Sequence, residues 1–108
     1  MVCTEIISEA QWGMYSQKPG VVVIDFFADW CKSCLDILPD YEKTSNEFTD
    51  VTFCKLDIDN DELDEIVEEQ AIKTIPMFII LKDGDVMDQY MGRDINVLLQ
   101  KLNTVVSS

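Results

Sequence analysis

The chain has 108 residues, of which 47% are hydrophobic, so it is long and apolar enough to bury the core of about one domain. Its 21 acidic and 8 basic residues give a net charge of −13, and it contains no histidine. This charge excludes nucleic-acid binding through a basic face and disfavours an anionic membrane surface. The absence of histidine excludes Ser-His-Asp and Cys-His catalysis and all histidine-ligated metal sites.

Helix and strand signals alternate from the first residues onward. Residues 3–7 form a possible short strand, and Ser8 then begins a capping box for a helix that ends before Pro19. The β-branched run at residues 21–28 predicts a strand buried on both faces, with Asp25 as its polar exception.

The middle of the chain predicts a long helix, a strand and a third helix. The long helix spans about residues 33–49 and contains Pro39, which should kink it. The apolar residues expected to share one side of this helix are Leu35, Leu38, Tyr41 and Phe48. Residues 51–58 alternate as in a strand, and Asp59 or Asn60 then caps a helix. That helix carries Leu63, Ile66 and Val67 on one face.

The last third predicts a hairpin and a C-terminal helix. Residues 77–81 and 86–91 flank a turn signal at residues 83–85. The final helix has a helical apolar pattern made by Ile95, Leu98, Leu99, Leu102, Val105 and Val106. Together these elements predict an α/β fold with a central sheet covered by helices on both faces.

The most informative motif is the Cys31-x-x-Cys34 pair, located where the buried strand changes into the long helix. Unpaired backbone N–H groups and the helix dipole favour an anion there, so the pKa of the Cys31 thiol should fall. Two intervening residues place Cys34 one turn further on, where the sulfurs can cycle between dithiol and disulfide. Half of a zinc site and a simply buried cysteine pair are the alternatives, although zinc lacks two evident further ligands.

Residues 25–34 (DFFADWCKSC) resemble the active-site segment of the thioredoxin family, and the resemblance covers nearly the whole chain. Pro39 matches the family's helix-kinking proline, and residues 55–59 resemble the end of its central strand. Residues 75–76 match its cis-proline loop. Gly84 and Gly92 also fall at positions where the family has glycine. The resemblance implies a thioredoxin fold, with a central mixed sheet flanked by four helices and a single domain over residues 1–108.

The resemblance also implies roles for individual residues. Cys31 would be the exposed nucleophile that attacks a substrate disulfide, and Cys34 the buried thiol that resolves the mixed disulfide. Asp25 would serve the proton traffic of Cys34, since a carboxyl in an apolar strand has a raised pKa. Lys55 resembles the charged partner of that carboxyl. The alternatives are a core Asp25 satisfied by the backbone or by Lys55, and a Lys55 that reaches solvent.

A substrate-docking surface is implied around Pro76, which should follow a cis peptide bond. Trp30, Ile75 and Gly92 would complete this surface, although Ile75 also suits ordinary core packing. Cys3 and Cys54 are expected to take no part in the chemistry. Cys54 should pack inside, whereas Cys3 could be exposed and cross-link chains on oxidation.

The sequence departs from the family between the two cysteines, where Lys32 and Ser33 replace the usual Gly-Pro pair. Ser33 can donate a hydrogen bond to the Cys31 thiolate, and Lys32 adds a positive charge nearby. Both would stabilise the reduced form. We therefore expect a reduction potential above the roughly −270 mV of thioredoxin.

The predicted function is reduction of protein disulfides through the Cys31–Cys34 couple, without a bound cofactor or metal. By the same resemblance, electrons would come from thioredoxin reductase and the substrates would be oxidised proteins. The alternatives are an isomerase or oxidase-type redox domain and a non-catalytic interaction module. No secretory signal or membrane-spanning segment is apparent, so we expect a cytoplasmic monomer that binds neither nucleic acid nor membrane.

Overall fold

The computed structural model describes residues 3–108, in which five strands form one mixed sheet with helices on both faces. The strands are β1 (Cys3–Ile6), β2 (Val21–Phe27), β3 (Thr52–Asp57), β4 (Met77–Lys82) and β5 (Asp85–Met91). The helices are α1 (Glu9–Ser16), α2 (Lys32–Glu47), α3 (Asp64–Glu69) and α4 (Ile95–Ser107), and a 3₁₀ turn (Asp61–Leu63) leads into α3. The architecture is the expected thioredoxin fold, including the short first strand.

The strand order β1-β3-β2-β4-β5 places β2 at the centre of the sheet. Strands β1 and β2 run parallel to β3, whereas β4 and β5 are antiparallel neighbours on the other side. Because β2 is covered on both faces, its first six residues are all buried, which explains its nearly continuous apolar sequence. The loop after β2 carries the two spaced cysteines to the beginning of α2.

Two hydrophobic cores pack on opposite faces of the sheet. Helices α2 and α4 cover one face, where Tyr41 and Leu98 pack among strand residues such as Phe53 and Phe78. Helices α1 and α3 cover the other face, and Trp12 packs there at 6.3 Å from the Phe26 ring, measured between ring centroids. The sheet therefore separates side chains at alternating positions of each strand into two environments.

Tyr41, Leu38 and Phe48 pack in or against the core, as predicted for the apolar side of α2, whereas Leu35 does not. The buried residues are Cys34, Ile37, Tyr41, Thr44 and Ser45, whereas Leu35 is exposed. Thr44 and Ser45 are tolerated inside because their hydroxyls donate to the backbone carbonyls of Asp40 and Glu42. Helix α4 likewise buries Leu98, Leu102 and Val105 but leaves Val106 exposed, contrary to the prediction.

The β4–β5 turn follows the predicted hairpin signal. Asp83 and Gly84 both have positive φ, as a two-residue hairpin loop requires. The N–H of Gly20 donates to Asp83 Oδ1 at 2.8 Å, and the N–H of Asp83 donates to the Gly20 carbonyl at 3.0 Å. These reciprocal bonds join the loops at the end of the sheet remote from the spaced cysteines.

No helix within residues 3–108 is both long and apolar enough to cross a membrane.

Candidate active site

Cys31 and Cys34 form a disulfide at the beginning of α2. Cys31 is the N-cap residue, and its Sγ accepts a hydrogen bond of 3.1 Å from the backbone N–H of Cys34. Their Cα atoms lie 5.2 Å apart, within the usual range for a disulfide. On reduction, the same N–H and the first turn of α2 are positioned to stabilise a Cys31 thiolate.

Both sulfur-bearing residues are buried in this oxidised state. Cys31 is 6% exposed and Cys34 is 3% exposed. They pack with Ala28 in a small cluster against which Phe27 and Ile75 lie. The expectation that Cys31 would be exposed is therefore wrong for the disulfide form, because apolar neighbours after β2 and before β4 cover the ring.

Asp25 lines the same cavity as Cys34 and is only 1% exposed. Neither carboxyl oxygen has a hydrogen-bond partner within the described residues. Burial raises the pKa of Asp25 from 3.8 to about 7, and the Lys55 ammonium opposes part of that rise. Asp25 can therefore exchange a proton near neutral pH, which an ordinary surface aspartate cannot do.

A cavity of about 90 Å³ connects Asp25 with Cys34 and Lys55. Asp29 and Leu35, both exposed, also line it and lie where it meets the surface. This volume has room for water molecules beside the buried carboxyl. The geometry thus offers a route for protons between Asp25, Cys34 and bulk solvent.

Lys55 is opposite Asp25 in the parallel pairing of β2 and β3. Its Nζ lies 5.4 Å from the centre of the Phe27 ring, a cation–π distance, and the structure contains no hydrogen bond from it to Asp25. Neither alternative for Asp25 is met, since neither the backbone nor Lys55 satisfies its oxygens. Lys55 is half-buried and acts on Asp25 through space.

Lys32 and Ser33 follow Cys31 in the first turn of α2, and the tuning expected of them concerns the reduced thiolate rather than the disulfide seen here. Lys32 Nζ donates to both carboxylate oxygens of Asp36, at 3.2 and 3.3 Å, and its side chain is 85% exposed. Within residues 3–108 the Ser33 hydroxyl donates no hydrogen bond to Cys31. Asp36 was not identified from the sequence, although its i,i+4 spacing from Lys32 was a usable signal.

The expected docking residues lie together beside the disulfide. The Ile75–Pro76 peptide is cis, and the carbonyl of Pro76 accepts a bond of 3.2 Å from the Gly92 N–H. Gly92 has a φ of 156°, and a Cβ there would meet the Tyr90 hydroxyl at 2.5 Å, so a side chain would strain the backbone and displace the Tyr90 ring. Trp30 is 69% exposed at the rim.

Cys3 and Cys54 are free and buried, on opposite faces of the sheet. Desolvation raises the pKa of each thiol to about 12. The expectation of an exposed, cross-linking Cys3 is therefore wrong, because β1 packs it against the α2 and α4 side of the core. Within the described residues no group of three or more potential ligands could hold a metal ion, and the sulfurs of the zinc alternative are joined in the disulfide.

Comparison with known proteins gives consistent matches to thioredoxins. The thioredoxin family model matches residues 4–104. The chain is 34% identical over 95 residues to thioredoxin 1 of Plasmodium falciparum, covering 88% of this chain and 89% of that protein. It is 37% identical over 106 residues to the chloroplastic thioredoxin F of Oryza sativa subsp. japonica. That match covers 97% of this chain but only 56% of the rice protein.

Solved structures agree with the sequence matches. The crystal structure of thioredoxin from Trypanosoma brucei brucei superposes with a TM-score of 0.91 at 30% identity, covering 98% of this chain and 92% of that one. The long form of spinach chloroplast thioredoxin F gives 0.87 at 33% identity, covering 95% and 85%.

This chain belongs to the thioredoxin family. The protein is a thioredoxin-type disulfide reductase, and its redox pair is Cys31–Cys34. The family acts on proteins that contain disulfides.

Proposed function

We propose that the protein reduces disulfides of oxidised proteins, with Cys31 as the attacking thiolate and Cys34 as the resolving thiol. The observation that carries this proposal is the position of the Cys31–Cys34 pair at the beginning of α2, where Cys34 lines the same cavity as the unpartnered, buried Asp25. The helix terminus favours an anion at Cys31, and the raised pKa of Asp25 suits a proton acceptor.

In the first step, the Cys31 thiolate attacks one sulfur of the substrate disulfide. A mixed disulfide forms and the other substrate sulfur leaves as a thiolate, which takes a proton from water. Asp25 then accepts the proton of Cys34 through the cavity between them. The Cys34 thiolate attacks the Cys31 sulfur, which releases the second substrate thiolate and forms the intramolecular disulfide. Two electrons have passed from this chain to the substrate.

Substrate binding is assigned to Trp30, Ile75, Pro76 and Gly92. The exposed Trp30 and the half-buried Ile75 offer apolar contacts beside the disulfide. Gly92 is held beside Pro76 by the hydrogen bond from its N–H to the Pro76 carbonyl. An extended substrate segment lying along Ile75 would be held by backbone hydrogen bonds, which suits varied protein sequences.

Lys32, Ser33 and Lys55 are proposed to tune the couple rather than to transfer atoms. Lys55 opposes the burial-induced rise in the pKa of Asp25. The charge of Lys32 is partly neutralised by Asp36, so it supports the isomerase or oxidase alternative less than the sequence suggested. The reductase assignment is therefore favoured over that alternative.

We further propose that residues 1–108 act as one domain, without a cofactor, and receive electrons from a thioredoxin reductase. A reducing compartment such as the cytoplasm fits the two free thiols, Cys3 and Cys54. The chloroplastic relatives make a plastid the other compartment to examine. Expression of the tagged chain in its source cells, followed by fractionation, distinguishes the two.

The test is trapping of the mixed disulfide with an oxidised model protein such as insulin. Cys34→Ser should accumulate a covalent adduct that a reductant releases, whereas Cys31→Ser should form none. The parent chain should turn over insulin with dithiothreitol as the electron source. Adduct formation by Cys31→Ser but not by Cys34→Ser would reverse the two roles. Absence of turnover by the parent would refute the proposed function.

A further inference from the structure

Tyr90 on β5 is bonded to the short loop that carries Gly92. The N–H of Asp94, the N-cap residue of α4, donates a hydrogen bond of 2.9 Å to the Tyr90 hydroxyl oxygen. Only Gly92 and Arg93 lie between the end of β5 and Asp94. The bond therefore ties the far end of this loop to a side chain of the strand that enters it.

The Tyr90 ring is itself fixed by the sheet. Tyr90 lies opposite Phe78 in the antiparallel pairing of β4 and β5. The two rings stack with their centroids 6.2 Å apart and their planes inclined by 15°. The Tyr90 ring is half-buried against the core on the side of α2 and α4. Its position is therefore determined by β4 and the core rather than by solvent.

The same ring is in contact with Gly92. An ideal Cβ on Gly92 would lie 2.7 Å from Cζ and 3.0 Å from Cε1 of Tyr90, so the Gly92 backbone is close to the hydroxyl end of the ring. In addition, the Gly92 N–H donates to the Pro76 carbonyl at 3.2 Å. Gly92 is therefore held by two contacts, one with the Tyr90 ring and one with the cis-proline segment, Ile75–Pro76.

The hydroxyl is the group that connects the Tyr90 ring to the loop. Within residues 3–108 the Asp94 N–H has no other acceptor, and the first turn of α4 uses the carbonyl and side chain of Asp94 instead. A water molecule could accept the same N–H, but it would not tie the loop to the sheet. Loss of the hydroxyl should therefore release the loop without removing the ring.

We propose that Tyr90 is a positioning residue for substrate docking, because its ring and hydroxyl hold Gly92 in place beside the cis-proline segment. This inference rests on the proposed function, in which Ile75, Pro76 and Gly92 bind an extended segment of the substrate. Hydrogen bonds to such a segment weaken steeply when donor and acceptor are misaligned. A loop that is already fixed lowers the cost of ordering it when a protein disulfide binds.

The decisive variant is Tyr90→Phe, which removes the hydroxyl and keeps the ring. We expect the KM for insulin, with dithiothreitol as the electron source, to rise about threefold with kcat unchanged, as for loss of a binding contact. The pre-reduced variant should reduce bis(2-hydroxyethyl) disulfide at the parent rate, followed by Trp30 fluorescence in a single turnover. That small disulfide has no peptide segment to dock.

Two control variants separate docking from a general loss of stability. Tyr15→Phe makes the same chemical change on the other face of the sheet, at a half-buried ring whose hydroxyl makes no hydrogen bond within the described residues. Ser45→Ala removes a buried hydroxyl that donates to the Glu42 carbonyl, near the end of α2 remote from the cysteines. Both variants should keep the parent KM for insulin.

Amide hydrogen exchange reports on the loop directly. Tyr90→Phe should speed exchange at Asp94, which loses its acceptor, and at Gly92, whose bond to Pro76 depends on the position of the loop. Faster exchange at Asp94 alone would overturn the inference, because the hydroxyl would then hold Asp94 without holding Gly92.

An equal rise in KM for Ser45→Ala would also overturn the inference, as would slower reduction of bis(2-hydroxyethyl) disulfide by Tyr90→Phe. Insulin reduction by the parent chain is measured in parallel. If the parent turns over insulin and Tyr90→Phe has the parent KM, this inference alone fails. Absence of turnover by the parent would instead refute the function on which it rests.

Discussion

The indole N–H of Trp30 donates a hydrogen bond of 2.7 Å to Asp59 Oδ2. This bond joins the residue before Cys31 to the loop that follows β3, although the two residues are 29 positions apart in the chain. Trp30 is otherwise largely exposed, so Asp59 is the partner that fixes the orientation of its ring at the rim of the site. The orientation of the Trp30 ring, which a substrate would contact, is thus set by the loop that follows β3.

Asp59→Ala should loosen the Trp30 ring. We expect a loss of about 0.5–1 kcal/mol in unfolding free energy, as for an exposed side-chain hydrogen bond, and an increased KM for protein disulfides. The measurement is collisional quenching of Trp30 fluorescence in a Trp12→Phe background, where Asp59→Ala should quench more strongly. Asp50→Ala, which removes an exposed aspartate from a turn, serves as the control. Equal quenching in both variants would contradict the orienting role.

The raised pKa of Asp25 predicts an unusual pH dependence of stability. Between the unfolded value of 3.8 and the folded value of about 7, the folded protein holds a proton that the unfolded chain has released. Stability should therefore fall as the pH rises through this window and level off above it, by as much as roughly 4 kcal/mol in total. Asp25→Asn should abolish this decline and be more stable than the parent at pH 8.

Urea unfolding of the oxidised protein at pH 4, 6 and 8 measures this effect. Asp40→Asn is the matched control, because Asp40 is an exposed carboxylate on α2. It should keep the decline seen in the parent. If Asp25→Asn and the parent lose stability in parallel between pH 4 and pH 8, Asp25 does not carry a proton in this range.

The Lys32–Asp36 ion pair predicts that Asp36, which lies outside the Cys-x-x-Cys motif, affects the reduction potential of the Cys31–Cys34 couple. Asp36→Asn should free the Lys32 charge to act on the Cys31 thiolate and raise the reduction potential by on the order of 10 mV. Lys32→Gln should remove the effect of Asp36→Asn when the two are combined. Equilibration in glutathione buffers followed by Trp30 fluorescence gives the potentials. Additive changes in the double variant would show that the pair is not the cause.

Tyr41 predicts a stability effect through hydrogen bonds inside the core. Its hydroxyl donates to the Cys54 carbonyl at 2.7 Å and lies 3.2 Å from the Val23 carbonyl, where α2 packs over β2 and β3. Tyr41→Phe should cost about 1–2 kcal/mol in urea unfolding. Tyr15→Phe is the control, since the half-buried Tyr15 hydroxyl makes no hydrogen bond within residues 3–108. A similar loss in both variants would exclude the bonds of Tyr41 as the cause.

Secondary-structure elements could be predicted from the sequence where the local residue pattern matched the burial seen in the structure. The apolar run of β2 predicted a strand covered on both faces, and the Asp83-Gly84 turn follows from residues that accept positive φ. The Cys31–Cys34 pair was identified by its position between a strand and a helix. Each of these features depends on a few consecutive residues, so local reasoning was sufficient.

Features that depend on distant segments were not predictable in the same way. The alignment of Glu5, Lys55 and Asp25 requires the register of parallel strands that are far apart in the chain. In α2, Leu35 was wrongly assigned to the buried side, and the burial of Thr44 was not predicted because the sequence does not show that its hydroxyl bonds to the backbone. The burial of Cys31 arises from residues on three separate segments.

The separation of Cys3 and Cys54 by the sheet has a consequence for the electron capacity of the molecule. The two thiols face different cores, and both are desolvated, so neither is placed to exchange with a partner sulfur. The folded chain, although it has four cysteines, therefore has a single two-electron redox couple, Cys31–Cys34. Its redox titration should follow one Nernst curve with n = 2, and only unfolding should reveal the remaining two equivalents of thiol.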